Sequence, residues 1–207
     1  SAAVGSTDPL RIVPKAETAK SNLAIVLGNA FLNAGYCGDK LMAEDQEQFM
    51  WKNKDVALMT AAASLGAINM WNLGDGLSAL DTLHNQHQNS ANPQGVNVQA
   101  GALLGIGLVH SGIRNEADPA FALLRDALES STDLTIRTGA ILGLSFAYGG
   151  TGRRDVAISL LPLICDPELQ TSVFASLAVG TILVGSADGE AVSAVLQAMM
   201  ERDAIDL

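Results

Sequence analysis

The residues able to do chemistry in this chain are few, and their spacing serves it poorly. His84 and His87 stand at i, i+3, which places two imidazoles on one helical face. Zinc takes four ligands, and this segment supplies no cysteine and one close carboxylate, Asp81. The pair therefore reads as a polar helix end with two solvated imidazoles, and no metal ligand is assigned. His110 closes an apolar run and reads as a structural histidine. Gly105-Ile106-Gly107 is a fragment of a dinucleotide fingerprint, but it lies inside a helical pattern, follows no strand and lacks the third glycine. Gly149-Gly150-Thr151-Gly152 is not followed by the Lys-Ser/Thr of a phosphate loop and reads as a turn. Cys37 and Cys165 each fall near the end of an apolar run and are expected as buried thiols in a reducing compartment, not as a disulfide. No nucleophile–base pair emerges, so no catalytic residue, cofactor or metal is expected.

The elements that must carry these residues follow from composition and repetition. Hydrophobic residues make up 48% of the 207, aromatics only 4% and charged residues 16%. A core this apolar with so few rings is built from Ala, Leu, Val, Ile and Gly, which points to closely packed helices. No apolar run is long enough to span a membrane, so no membrane partner is expected. The net charge is −10 and the twelve Lys and Arg form no basic stripe, which argues against nucleic acid and suits a basic partner.

The sequence repeats. Small residues at 28, 66, 105, 143 and 178 recur at steps of 38, 39, 38 and 35 within similar apolar runs, such as Gly101-Ala102-Leu103-Leu104-Gly105 and Gly139-Ala140-Ile141-Leu142-Gly143. Each unit reads as a helix apolar all round, a glycine stop at 112, 150 or 185, and then an amphipathic helix. Asp118-Pro119 and Asp188-Gly189-Glu190 read as N-terminal caps of the second helices. The expected fold is all-α, an α-solenoid of about five helix-turn-helix repeats over residues 21–207. An irregular bundle would not explain the constant step. Residues 1–20 are expected to be a disordered or expression-derived terminus, and 85–97 a polar loop. On the second helices, positions i, i+4, i+7 and i+11 give the stripes Asp118/Ala122/Arg125/Glu129, Asp155/Ser159/Pro162/Asp166 and Glu190/Ala194/Gln197/Glu201. Such a face is either ordinary solvated surface or a shallow groove with an acidic rim.

The buried halves at 101–108 and 139–144 resemble the proteasome/cyclosome repeats of the large non-ATPase subunits of the proteasome regulatory particle and of the largest anaphase-promoting complex subunit. Trp51-Lys52-Asn53-Lys54-Asp55, Ser111-Gly112-Ile113-Arg114-Asn115-Glu116 and Val184-Gly185-Ser186 are similar to the base scaffold that receives ubiquitin and ubiquitin-like domains. The resemblance implies an arc of a larger toroid, found in cytoplasm and nucleus. It implies a non-enzymatic role, with ubiquitin, the ubiquitin-like domains of shuttle factors, a deubiquitinating enzyme and other proteasome base subunits as partners. It implies a binding surface at Asp166, Glu190 and Glu201, with Gln197 where the family has a carboxylate. Ala194 and Ala198 would seat an apolar patch. A second ubiquitin-like site would fall at Leu80, Asp81 and His84. The alternative is a purely architectural solenoid that makes subunit contacts and binds no ubiquitin.

Overall fold

The computed structural model describes residues 19–39, 41–42, 49–87 and 94–203. All regular structure among them is helical: α1 (Ala19–Leu32), α2 (Asp55–Ile68), α3 (Asp75–His87), α4 (Gly95–Val109), α5 (Pro119–Ser130), α6 (Leu134–Tyr148), α7 (Arg154–Ile164), α8 (Leu169–Ile182) and α9 (Gly189–Asp203). Helices α1, α2, α4, α6 and α8 pack in series as an inner layer, and α3, α5, α7 and α9 form an outer one. This is the helical solenoid that the repeat predicts. Each of α3, α5 and α7 packs chiefly on the inner helix that follows it, so the tight unit is offset from the hairpin read in the sequence.

The inner layer is held by backbone contact. A Cβ at Gly66 would lie 2.3 Å from the Gly105 Cα, and one at Gly107 would lie 2.1 Å from the Gly143 oxygen. Only glycine allows that approach, which explains why residues with poor helix propensity recur in helix interiors. The same geometry corrects the repeat register. Gly66 faces the following helix, as Gly107 does, whereas Gly105 and Gly143 face the preceding one. The small residue of α2 in the Gly105 register is therefore Ser64, which is buried.

The outer helices are anchored by single large residues. Leu80 and Leu124 are buried and project onto Gly105 and Gly143, whose added Cβ atoms would meet them at 2.9 Å. Burying each leucine is worth roughly 1.5–3 kcal/mol. Turns lock adjacent repeats. Gly35 and Cys37, both at positive φ, donate their N–H groups to the last two carbonyls of α2, Ala67 and Ile68, at 3.1 and 3.0 Å. Gly150 and Gly152 do the same to Thr181 and Ile182 of α8, at 2.8 and 2.9 Å.

Several sequence expectations need correction. Cys37 and Cys165 are exposed, because each lies just past a helix end in a turn. Of the expected loop 85–97, residues 85–87 belong to α3 and 95–97 to α4, while 88–93 lie outside the described residues. The expected terminus 1–20 lies outside the described residues except for Ala19 and Lys20, which begin α1. Asp118 adopts a left-handed conformation and makes no side-chain cap, although Pro119 sits at the start of α5. Asp188 does cap α9, its Oδ1 accepting from the Glu190 and Ala191 N–H groups at 3.1 and 3.0 Å. No described helix is long and apolar enough to cross a membrane.

Candidate binding surface on the outer helices

Helix α9 is held at its N-terminus by Arg154 of α7. The guanidinium pairs with Asp188 at 3.1 Å and with Glu190 at 2.6 Å. Glu190 is solvent-facing, yet its charge is already partnered. Gln197 and Glu201 are exposed about two and three turns beyond Glu190 on the same stripe, and the Gln197 amide donates to Glu201 at 2.8 Å. Ala194 is half-buried against the core. Ala198 is 7% exposed and belongs to the core, so it cannot seat a partner. The helix turn puts it about 100° from Gln197, on the side facing the other helices. The apolar surface that α9 does offer comprises Val192 and Met199, 52% and 58% exposed, and Leu196 and Met200, 54% and 74% exposed, the last two flanking a shallow depression completed by Ser193, Gln197 and Glu201.

Asp166 belongs to a different place. It lies beyond the end of α7, roughly 16 Å along that helix from the Arg154 contact. Its carboxylate pairs with Arg137 at 2.9 Å and its Oδ1 accepts from the Glu168 N–H at 2.9 Å, with the side chain only 14% exposed. It fastens the α7–α8 turn to α6. The other acidic stripes are similarly engaged. Glu129 pairs with Arg125 at 2.6 Å, and Arg153 bridges Asp118 at 3.0 Å and Asp155 at 2.6 Å. The Arg153 partnership holds the Asp155 carboxyl below its ordinary range.

The second expected site is divided in the same way. Leu80 is 1% exposed and packs on Gly105, so it is an anchor. Asp81 and His84 are half-buried and line a cleft of about 90 Å³ between α3 and α5, with Asp126 on the far wall and Leu103 and Ile106 at the base. Burial lowers the His84 pKa from 6.5, against opposing contributions from the Gln99 backbone, Asp81 and Asp126. The reading of solvated imidazoles is corrected here: Nδ1 of both His84 and His87 is buried, and the His87 ring meets Trp51 edge-on at 5.5 Å. No group of three His, Cys, Asp or Glu among the described residues could hold a metal.

One cluster was not anticipated from sequence. Arg153 lies over the rings of Phe121 and Tyr148 at 5.9 and 5.3 Å, and the Tyr148 hydroxyl donates to Asp118. Burial first, then the Asp118 carboxylate, raises the Tyr148 pKa and keeps the phenol protonated. The cluster ties α5, α6 and α7 together. The adjacent Arg153-Arg154 pair after Gly152 was the available signal, since one arginine serves this cluster and the other clamps α9.

No protein-family model matches the chain. The chain is 34% identical over 192 residues to the 26S proteasome regulatory subunit rpn-1 of Neurospora crassa. It is 37% identical over 191 residues to the 26S proteasome non-ATPase regulatory subunit 2 of Dictyostelium discoideum. It is 42% identical over 191 residues to the 26S proteasome regulatory subunit rpn1 of Schizosaccharomyces pombe. Each match covers 90% of this chain and 20% of the relative. The chain thus spans about a fifth of the length of the curated relatives it matches, and it is their homologue throughout that segment.

Proposed function

We propose that this homologue of a proteasome regulatory subunit segment is a non-catalytic scaffold and receptor within the base of the regulatory particle, acting in cytoplasm and nucleus. Its partners would be ubiquitin, the ubiquitin-like domains of shuttle factors and of a deubiquitinating enzyme, and other base subunits. The non-ATPase name of the Dictyostelium relative supports the non-catalytic part. The observation that carries the receptor part is the exposed row on α9, where Leu196 and Met200 lie beside Gln197 and Glu201. A compact domain with an apolar patch ringed by lysine and arginine fits that row. Its patch would rest on Leu196 and Met200, and its basic rim would meet Glu201 and Glu190. Exposed rim pairs contribute about 0.2–1 kcal/mol each, so affinity would be modest and reduced by salt. A smaller ubiquitin-like contact would use Asp81 and His84 on α3, with Leu80 supporting them from beneath.

A titration of ubiquitin into the wild-type chain and into Glu190→Arg/Glu201→Arg tests the assignment. The double variant should lose binding while keeping its helical circular dichroism. Unchanged affinity would remove α9 from the proposal. The architectural reading, without ubiquitin, is supported by a separate observation, the exposed apolar side chains Phe31 and Leu32 of α1 and Val173 and Leu177 of α8.

A further inference from the structure

Each inner helix ends in a turn that passes through the left-handed region. Gly35, Trp71, Gly112 and Gly185 lie three residues past the ends of α1, α2, α4 and α8, and Gly150 lies two past the end of α6. Their φ angles are 72°, 71°, 74°, 77° and 70° in that order. Four of the five are glycine, which enters this region freely. The fifth is tryptophan, a bulky residue that avoids it. Glycine suffices for the turn in four repeats, so the reason for tryptophan in the remaining one lies in its side chain.

That side chain touches the turns on both sides. Its Nε1–H donates to the Ser111 carbonyl at 3.0 Å, and the Trp71 backbone N–H donates to Val109, the last residue of α4, at 3.0 Å. In the other direction the six-membered ring lies against Gly35. A Cβ at Gly35 would stand 3.1 and 3.2 Å from the ring carbons Cζ3 and Cε3. Position 35 is therefore held to glycine twice, by its φ and by the ring.

Beyond Trp71 the chain leads directly into α3. Asn72 accepts from the Asp75 N–H at 3.3 Å through Oδ1 and from the Gly76 N–H at 3.1 Å through its carbonyl. The first turn of α3 thus hangs on the residue next to the indole. Trp71 is 61% exposed, so burial of the ring gives little of its stabilisation. What the ring supplies is the pair of contacts, one to each neighbouring turn.

We propose that Trp71 is a conformational clasp, its indole strapping the turn after α2 to the turns after α1 and α4 and so setting the start of α3. The other four turns have no side chain at this position. The Trp71 backbone stays in a disfavoured region because the surrounding contacts hold it there. Releasing the indole removes those contacts together, and the three turns and the start of α3 loosen as a unit. The clasp stands whether or not α3 receives a partner.

Hydrogen exchange on the wild-type chain and on Trp71→Gly tests this residue by residue. Glycine keeps the left-handed turn and its bond to Val109, so only the strap is lost. Exchange at Gly35, Cys37, Asp75 and Gly76 should rise by about tenfold or more, while Gly150 and Gly152, in a distant turn of the same kind, should keep their wild-type rates. Unchanged or slower exchange at Gly35 and Cys37, the result of relieved backbone strain alone, overturns the proposal. So does an equal rise in every turn, which is general loss of stability. A second test leaves the indole in place. The chain has two tryptophans, so in a Trp51→Phe background Trp71 alone fluoresces as tryptophan. Adding Gly35→Ala drives a Cβ against the ring and should shift its emission to the red. Adding Gly150→Ala places the same methyl at a matching φ, where its nearest neighbour is Val184 at 3.9 Å, and should leave the emission unchanged. Emission indifferent to Gly35→Ala, or equally shifted by both, contradicts the clasp.

Discussion

Glu190 and Glu201 occupy one stripe but are not equivalent carboxylates. Arg154 already satisfies Glu190, while the described partner of Glu201 is a neutral amide. A basic ligand must displace an internal cation at the first and none at the second. Glu201→Arg should therefore weaken ubiquitin binding more than Glu190→Arg, and calorimetry on the two single variants will rank them. Arg154→Ala frees Glu190 and should tighten binding.

Tyr148 makes a different kind of prediction. Its hydroxyl donates to a carboxylate that is only 23% exposed. Tyr148→Phe should cost about 1–2 kcal/mol of stability, read as a lower denaturant midpoint. His84 adds a pH dependence. Burial lowers its folded-state pKa below 6.5, so the unfolded chain takes up the proton first on acidification. Its contribution is present above 6.5 and is lost as pH falls below it. Denaturation at neutral and mildly acidic pH should show that loss in the wild type and a smaller one in His84→Gln.

At the scale of the element, the same substitution should change sign with position. Gly107→Ala drives a Cβ into the backbone of α6 and should destabilise by more than about 2 kcal/mol. Gly180→Ala, in the same register but facing open space, should stabilise by up to about 1 kcal/mol. Thermal melts of the pair decide it. The inner helices were legible in the sequence because their glycines and all-round apolar character have a single physical use. The register of Gly66 was not, since a forward and a backward glycine lie only two residues apart and look alike. Ala198 and Leu80 came with the family resemblance, which points to a region of surface and not to the burial of each residue. A stripe of period 3.6 names a face, but only the neighbouring helices decide whether that face is inside. Asp118 was misread because its carboxylate had better partners, Tyr148 and Arg153, from another repeat.

Across the whole molecule, the acidic outer helices carry the surface that responds to salt. The acidic outer row should lose a basic partner as ionic strength rises. The receptor role itself rests on α9, and nuclear magnetic resonance mapping addresses it most directly. With isotope-labelled chain and unlabelled ubiquitin, amide shifts should gather at residues 193–201 and diminish when salt is added. Shifts confined to the α1 and α8 faces, or none at all, would contradict the account and leave the solenoid an architectural piece.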